Sequence, residues 1–240
     1  MPFCAIILIM NDSKIALIHA TPLAMRPVSE VFAALWPEAK CRNLLDDSLS
    51  PDLQEQGLTS AMVDRMVGLA SYVKSQGAQA ILFTCSAFGP AIDAAKKAHN
   101  IPILKPNEAM FDEALDLCEQ RGKPCRIGLL TTFAPASVSM LAEFQEAIEQ
   151  RQLSVVVESA CATGALEKLN AGDPQTHDRL LLETATTMPS CDVYVLGQFS
   201  MARSQALVQK ALQKPVLTSP ASAVRRLQSA LAIAPINPTP

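Results

Sequence analysis

Short apolar runs alternate with longer amphipathic stretches along most of the chain. Runs of strand length lie at residues 14–20, 40–45, 78–84, 102–105, 126–131, 153–158, 192–197 and 215–218. Apolar residues recur at helical spacing at 58–76, 90–99, 107–121, 135–151, 175–188, 201–213 and 220–232. Strands that alternate with helices predict parallel sheets with right-handed crossovers, and hence an α/β fold. Residues 3–10, followed by an Asn-Asp-Ser turn, predict one extra strand.

The second half of this pattern repeats the first. The strand that starts at Ile15 aligns with the one that starts at Ile127, and Cys85 lies 70 residues after Ile15, while Gln198 lies 71 residues after Ile127. Two matches at nearly one offset indicate two lobes related by a pseudo-twofold axis. We expect residues 1–106 plus 214–240 to form the first lobe and 107–213 the second. A site between these lobes would face Cys85 with Gln198.

Composition narrows the range of partners. The formal charge of −3 is spread along the chain without a basic stripe, which argues against nucleic acid. No apolar run reaches the roughly 18 residues that span a bilayer, and the N-terminus lacks the basic region of a secretory signal. Seven scattered cysteines without a CxxC pair indicate neither a disulfide framework nor a zinc site. We therefore expect a cytoplasmic protein, with a homodimer as the default assembly.

Cys85 occupies the most informative position. It follows an apolar strand directly, and Ser86 and then Gly89-Pro90 supply the residues of a helix start. Free backbone N–H groups and the helix dipole would stabilise a thiolate there and attract an anion. The pattern predicts a reactive thiol beside a carboxylate-sized site. The alternative is a buried cysteine that serves as a small apolar filler.

Three segments of the sequence resemble the aspartate/glutamate/hydantoin racemase superfamily, which includes arylmalonate decarboxylase and maleate isomerase. They are Thr84-Cys85-Ser86, Ile127-Gly-Leu-Leu-Thr-Thr132 and Val195-Leu-Gly-Gln-Phe-Ser-Met201. The resemblance covers nearly the whole chain and implies two flavodoxin-like lobes, no cofactor and no metal. It also implies proton chemistry, or thiol addition in the isomerases, on a small carboxylate between the lobes. In the racemases, one cysteine from each lobe flanks the substrate α-carbon.

This sequence departs from that pattern at Gln198, which occupies the second cysteine position. An amide does not transfer protons at a useful rate near neutral pH, although it can hydrogen-bond a carboxylate. We therefore expect racemase-like α-carbon chemistry with one catalytic thiol, Cys85, acting either as a general acid/base or as a nucleophile. A one-cysteine decarboxylase, isomerase or lyase is an alternative. The decarboxylases of the family keep their cysteine in the second lobe, so this arrangement would be their mirror image. A carboxylate-binding protein without turnover also remains open.

An enolate-like intermediate requires several hydrogen-bond donors around the carboxylate. The predicted donors lie where strands end: Thr21, Ser86, Ala87, Thr131, Thr132, Phe199 and Ser200. His19 is predicted either as a second acid/base or as a scaffold residue, since its ordinary pKa suits proton transfer. Asn107 follows the strand at 102–105, and we expect it to cap the next helix, with a substrate contact as the alternative.

Overall fold

Two four-stranded parallel sheets form the framework of the protein. The computed structural model describes residues 13–122 and 124–233, so the strand predicted at 3–10 lies outside the described residues. The first sheet contains β1 (Lys14–His19), β2 (Lys40–Leu45), β3 (Ala80–Phe83) and β4 (Ile103–Leu104). The second contains β5 (Cys125–Thr131), β6 (Val155–Cys161), β7 (Val193–Leu196) and β8 (Val216–Thr218). This arrangement confirms the predicted α/β fold of two lobes.

Helices connect the strands and cover both sheets. The α-helices are α1 (Met25–Leu35), α2 (Leu49–Gln56), α3 (Ser60–Ser75), α4 (Gly89–Ala98), α5 (Glu108–Arg121), α6 (Ala134–Arg151), α7 (Ala165–Asn170), α8 (Pro174–Thr187), α9 (Gln205–Leu212) and α10 (Ser219–Ile233). Short 3-10 turns lie at Pro22–Ala24, Ser86–Phe88 and Phe199–Ser204. No helix in the described part of the chain is long and apolar enough to cross a membrane.

The two sheets have the same strand order, β2-β1-β3-β4 and β6-β5-β7-β8. Their registers also match, because Ile15 pairs with Ala80 in the first sheet and Ile127 pairs with Val193 in the second. This is the alignment that the sequence repeat predicts. The carboxyl ends of β3 and β7 therefore bring Cys85 and Gln198 to equivalent positions in the two lobes.

The central strands are buried on both faces, which explains their continuous apolar sequences. In the first sheet, Leu17 and Leu82 pack towards α1 and α10, while Ile18 and Ile81 pack towards α3 and α4. The second sheet is covered by α5 and α6 on one face and by α8 and α9 on the other. Phe199 follows β7 but packs into the first-lobe core, so the two lobes are joined near this residue.

The sheets place one predicted lobe boundary differently. Strand β8 pairs with β7 in the second sheet, so the chain returns to the first lobe after β8 and not at residue 214. Helix α10 then packs against the first-lobe core through Ala223, Val224 and Leu227. A boundary at residue 219 follows the sheets, because β8 is the edge strand of the second one.

One expectation about the cysteines is wrong. Cys118 and Cys125 form a disulfide, with Cα atoms 5.5 Å apart. Helix α5 ends at Arg121 and is followed by Gly122, whose left-handed backbone (φ 62°) turns the chain so that the start of β5 lies beside the helix. Proximity through this turn, and not a CxxC motif, brings the two thiols together. Both residues belong to the buried core of the second lobe.

Candidate active site

A cavity of about 640 Å³ lies where the carboxyl ends of the strands of both lobes meet. Segments that follow β1, β3 and β4 line it from the first lobe, and segments that follow β5 and β7 line it from the second. Ligands of parallel sheets bind at this end of the strands. A larger surface depression of about 860 Å³, beside Lys210 and Arg225, contains none of the predicted site residues.

Cys85 and Gln198 both line this cavity. Cys85 is partly buried and precedes the 3-10 turn at Ser86–Phe88. Burial raises the pKa of its thiol, while a hydrogen bond from the backbone of Ala87 opposes that rise. The expected lowering of the Cys85 pKa is therefore wrong, because desolvation of the sulfur outweighs the favourable backbone N–H. The resting thiol carries its proton at neutral pH.

Thr132 holds the Gln198 side chain in place. The backbone N–H of Thr132 donates to Gln198 Oε1 at 2.8 Å, and the Thr132 hydroxyl donates to the same oxygen at 3.2 Å. Both contacts use the amide oxygen as the acceptor. The Nε2 group of Gln198 has no partner among the residues that the structure describes, so it remains able to donate to a ligand.

Five of the seven predicted substrate-binding residues line the cavity: Thr21, Ser86, Ala87, Phe199 and Ser200. The Thr21 hydroxyl also accepts from the backbone N–H of Leu23 at 3.4 Å, at the start of a 3-10 turn. The other two, Thr131 and Thr132, do not line it. Thr131 is fully buried and shares a hydrogen bond of 2.5 Å with the Ser137 hydroxyl. Thr132 contributes to the site indirectly, through Gln198.

His19 is buried behind the cavity wall and is not part of its lining. Its Nδ1 lies 2.9 Å from the Thr84 hydroxyl oxygen, and its Nε2 lies 2.9 Å from Asn43 Oδ1. Burial lowers the pKa of His19, and the Asn43 hydrogen bond opposes this. In a neutral ring, Nε2–H donates to Asn43 Oδ1 and Nδ1 faces the Thr84 hydroxyl, whose single proton is shared between Nδ1 and the Ile18 backbone oxygen at 3.3 Å. His19 thus supports the residue that precedes Cys85.

The cavity contains residues that the sequence did not single out. Helix α2 contributes Ser50, Leu53 and Gln54, although its polar, proline-containing sequence gave no clear helical signal. Asn107 lines the cavity as well, but its side chain makes no capping hydrogen bond to α5. Its amide oxygen instead accepts from the Ser219 hydroxyl at 2.6 Å. Asn107 therefore occupies the predicted N-cap position of α5, but its side chain does not cap the helix.

The wall is apolar and carries no charge. The larger apolar side chains of the lining are Leu23, Leu53, Phe133, Leu166 and Phe199. Within residues 13–122 and 124–233, the lining contains no Asp, Glu, Lys, Arg or His. The polar groups are hydroxyls, amides, backbone N–H groups and one thiol. Such a site binds an anion through neutral donors and leaves an ammonium group without a charged partner.

No cluster of three or more His, Cys, Asp or Glu residues that could hold a metal ion occurs in the described part of the chain. The recognisable features of the site are one thiol, one fixed amide and a set of neutral donors. They lie between two lobes of identical strand order. These features define a two-lobed α/β protein with a cavity for a small ligand at its seam.

Comparison with known proteins gives the family. The model of the Asp/Glu/hydantoin racemase family matches residues 15–227, so the chain belongs to this family and the resemblance seen in its sequence is confirmed. The matched range begins at β1 and ends within α10. No curated protein matches the sequence.

Solved structures with the same fold share little sequence with the chain. A glutamate racemase isoform of Bacillus anthracis is 15% identical with a TM-score of 0.68, and the match covers 92% of this chain and 82% of that one. An aspartate racemase homologue of Pyrococcus horikoshii is 18% identical with a TM-score of 0.66, over 92% and 99%. A liganded arylmalonate decarboxylase is 18% identical with a TM-score of 0.61, over 94% and 96%. That decarboxylase is a double mutant in which one glycine is replaced by cysteine and one cysteine by serine.

Proposed function

We propose that the protein is a cofactor-independent enzyme that makes or breaks a bond at the α-carbon of a small carboxylate, with Cys85 as the proton-carrying group. The observation that carries this proposal is that Cys85 and Gln198 line one cavity at equivalent positions of the two lobes. Membership of the racemase family supports the reaction class. The proposal assigns Gln198, Ser86, Ala87 and Ser200 to carboxylate binding, together with backbone N–H groups.

The lining favours a carboxylate that carries an apolar substituent. Leu53, Phe133 and Leu166 offer an apolar surface, and no acidic side chain of the described lining is available for an α-ammonium group. A zwitterionic amino acid would leave its ammonium desolvated and unpaired, which is costly. An aryl or alkyl acid of the malonate or acetate type avoids this cost. Among the solved neighbours, an arylmalonate decarboxylase is consistent with such a substrate.

One thiol acts on one face of the α-carbon. In proton exchange, the Cys85 thiolate removes the α-proton, the electron pair of the C–H bond delocalises into the carboxylate, and the thiol then returns a proton to the same face. Racemisation needs a second proton carrier on the opposite face, and the Gln198 amide does not supply one. We therefore infer proton transfer with retention of configuration.

Decarboxylation is the second candidate, and the pKa of Cys85 favours it. Because burial raises that pKa, the resting group is a thiol, which is a proton donor. Loss of CO2 from a malonate breaks the carbon–carbon bond and leaves its electron pair on the α-carbon as an enediolate. The thiol then protonates that carbon, and the thiolate regains a proton from water. This order uses the acid form first, whereas α-proton removal uses the thiolate first.

A homodimer in the cytoplasm belongs to the same proposal. The family acts on small carboxylates, so we propose a small carboxylate as the ligand of the cavity. The sequence favoured a reducing compartment because its cysteines showed no pairing pattern. The Cys118–Cys125 disulfide weighs against that argument. Cell fractionation and sedimentation velocity would test the location and the assembly separately from the chemistry.

The test measures reactions at the α-carbon of candidate substrates. Purified protein is incubated in D2O with panels of amino acids, hydroxy acids and malonates, and NMR follows α-hydrogen exchange, CO2 loss and optical purity. We expect turnover of an acid with an apolar substituent, loss of turnover in Cys85→Ser, and full activity in Cys161→Ser. Cys161 is the matched control because it is also a free, partly buried cysteine but lies outside the cavity lining.

Two results would contradict the proposal. Turnover that survives in Cys85→Ser would remove the thiol from the mechanism. Ligand binding without turnover in the wild-type protein, retained in Cys85→Ser, would identify a binding protein instead of an enzyme.

A further inference from the structure

We propose that Arg65 is a positioning residue of the cavity: its guanidinium group holds helix α2 in place as one wall, and loss of this clamp widens the route to Cys85. The inference rests on the proposed function, because it concerns the same cavity, and it adds a residue outside the lining on which the shape of the site depends. Helix α2 supplies three residues of the lining, Ser50, Leu53 and Gln54. Whatever holds α2 therefore also holds this side of the site.

Helix α2 has little packing of its own. It contains eight residues, and a helix of this length is marginal in water without tertiary contacts. Leu49 is its one buried residue, and Leu53 is partly buried at the edge of the first-lobe core. The Ser50 hydroxyl donates to the backbone oxygen of Ala20 at 3.3 Å. Five of the eight residues are exposed, so the placement of α2 depends strongly on its polar contacts.

The guanidinium group of Arg65, on α3, bonds both to α2 and to the segment before it. Its Nε and Nη2 atoms donate to the Asp46 carboxylate at 3.0 and 2.6 Å. Its Nη1 atom donates to Asp52 Oδ2, in the first turn of α2, at 2.6 Å. Its Nη2 atom also donates to the Ser48 hydroxyl oxygen at 2.5 Å. A guanidinium presents several donors in a fixed fork, so this one side chain ties all three residues to α3.

The helix that carries Arg65 is firmly packed, unlike α2. Helix α3 packs against α4 and buries four side chains in the first-lobe core: Met62, Met66, Ala70 and Val73. Local opening begins in elements with few buried contacts, so α2 is the element that moves when the clamp is lost. Leu53 of α2 and Cys85 pack at the edge of the same core cluster, and both line the cavity. Displacement of α2 therefore widens the approach to the thiol.

Hydrogen–deuterium exchange of residues 49–57 in the full chain tests the clamp. Arg65→Met keeps an apolar stem but removes the guanidinium group. We expect the amides of α2 to exchange about fivefold faster in this variant, because a partly exposed ion-pair network is lost. The matched control is Arg151→Met, since Arg151 is similarly exposed and donates to two aspartates, Asp112 at 2.6 Å and Asp116 at 2.5 Å, outside the cavity lining. This control should leave the exchange of α2 unchanged.

Two maleimides of different size test the route to Cys85. N-ethylmaleimide is small and fluorescein-5-maleimide is large, but both carry the same reactive group, so a change in the thiol itself alters both rates and not their ratio. Peptide mapping measures each rate. In Arg65→Met, the rate of the large reagent relative to the small one should rise about fivefold at Cys85. Cys191, a buried free cysteine of the second lobe, reports general unfolding in the same digest and should not react faster.

Two further variants assign the effect to the bonds of the Arg65 side chain. Asp52→Ala removes only the contact that Arg65 makes with α2 itself and leaves the Asp46 pair, so we expect smaller rises in both readouts. This variant also serves if Arg65→Met does not fold. Arg65→Lys keeps the charge but loses the fork of donors, so it should restore the wild-type readouts in part.

Three outcomes would overturn the inference: equal exchange of α2 in Arg65→Met and Arg151→Met, faster exchange without a change in the maleimide ratio at Cys85, or an equal rise at Cys191. None of these readouts needs a substrate, so they are independent of the turnover assay. Turnover that depends on Cys85, without an effect of Arg65 on α2, would overturn the inference alone. An effect of Arg65 on α2 and on Cys85 labelling in a protein without turnover would support the inference and overturn the enzymatic function.

Discussion

The contact between Thr132 and Gln198 gives a stability prediction with a defined size. Gln198→Met keeps the length of the side chain but removes the acceptor that lies 2.8 Å from the Thr132 backbone N–H. Because Thr132 is only 4% exposed, the N–H would remain unpaired. An unpaired buried donor costs about 1–3 kcal/mol. For a chain of this size, each kcal/mol lowers Tm by about 2–4 °C, so the expected loss is roughly 2–12 °C.

Scanning calorimetry of the wild type and matched variants would measure this loss. Gln209→Met makes the same replacement at an exposed position of α9 and should change Tm little. Thr132→Val removes only the 3.2 Å hydroxyl bond and should cost about 0.5–1.5 kcal/mol. In the Gln198→Met background, Thr132→Val should cost less, because the hydroxyl has already lost its acceptor. A Tm for Gln198→Met equal to that of Gln209→Met would refute the reasoning.

Three further predictions concern Gln198, His19 and the Cys118–Cys125 disulfide. Gln198→Cys should add a proton carrier on the second face, so that chiral NMR detects loss of optical purity in an acid that the wild type exchanges with retention; continued retention would contradict the one-face mechanism. Burial lowers the pKa of His19 in the folded protein, so the unfolded chain binds the His19 proton more tightly. Acidification below about pH 6.5 should therefore lower Tm more in the wild type than in His19→Gln. Curves of Tm against pH that run parallel for the two proteins would argue against a neutral buried ring. The variant with both Cys118→Ala and Cys125→Ala should lose about 2–3 kcal/mol of unfolding free energy in urea titrations while Cys85-dependent turnover persists; unchanged stability would mean that the disulfide adds nothing.

The framework of the fold was predictable from the sequence because its signals are local. The central strands β1, β3, β5 and β7 are short apolar runs that are buried on both faces, so their composition identifies them, whereas the edge strand β2 is polar and largely exposed. The alignment of Ile15 with Ile127 also predicted the register, since the same strand pairing recurs in each lobe. Helix α2 was missed, because its polar sequence with Pro51 carries little amphipathic signal.

The features of the site that were not predictable depend on contacts distant in sequence. The sequence around Asn107 predicts a side-chain helix cap. In the structure, however, its amide oxygen accepts a hydrogen bond from Ser219, which is 112 residues away. The pKa of Cys85 follows from how deeply the two lobes bury it, and the local helix start suggests the opposite direction. For Asn107 and Cys85, neighbours that are distant in sequence thus decide the chemistry of a locally ordinary residue. The disulfide is a different case, because its cysteines are only seven residues apart and depend on the turn that places the end of α5 beside the start of β5.

The two lobes support their equivalent site residues in different ways, and this difference bears on mechanism. In the first lobe, His19 forms a hydrogen bond with Thr84, the residue before Cys85, and not with Cys85 itself. In the second lobe, Thr132 bonds directly to the side chain of Gln198. The Cys85 thiol instead receives a hydrogen bond from the backbone of Ala87 and keeps its own proton available for carbon. Gln198 is fixed as a donor, which suits it to hold a carboxylate still. A pseudo-symmetric fold thus carries an asymmetric pair, and the asymmetry argues for chemistry on one face of the substrate.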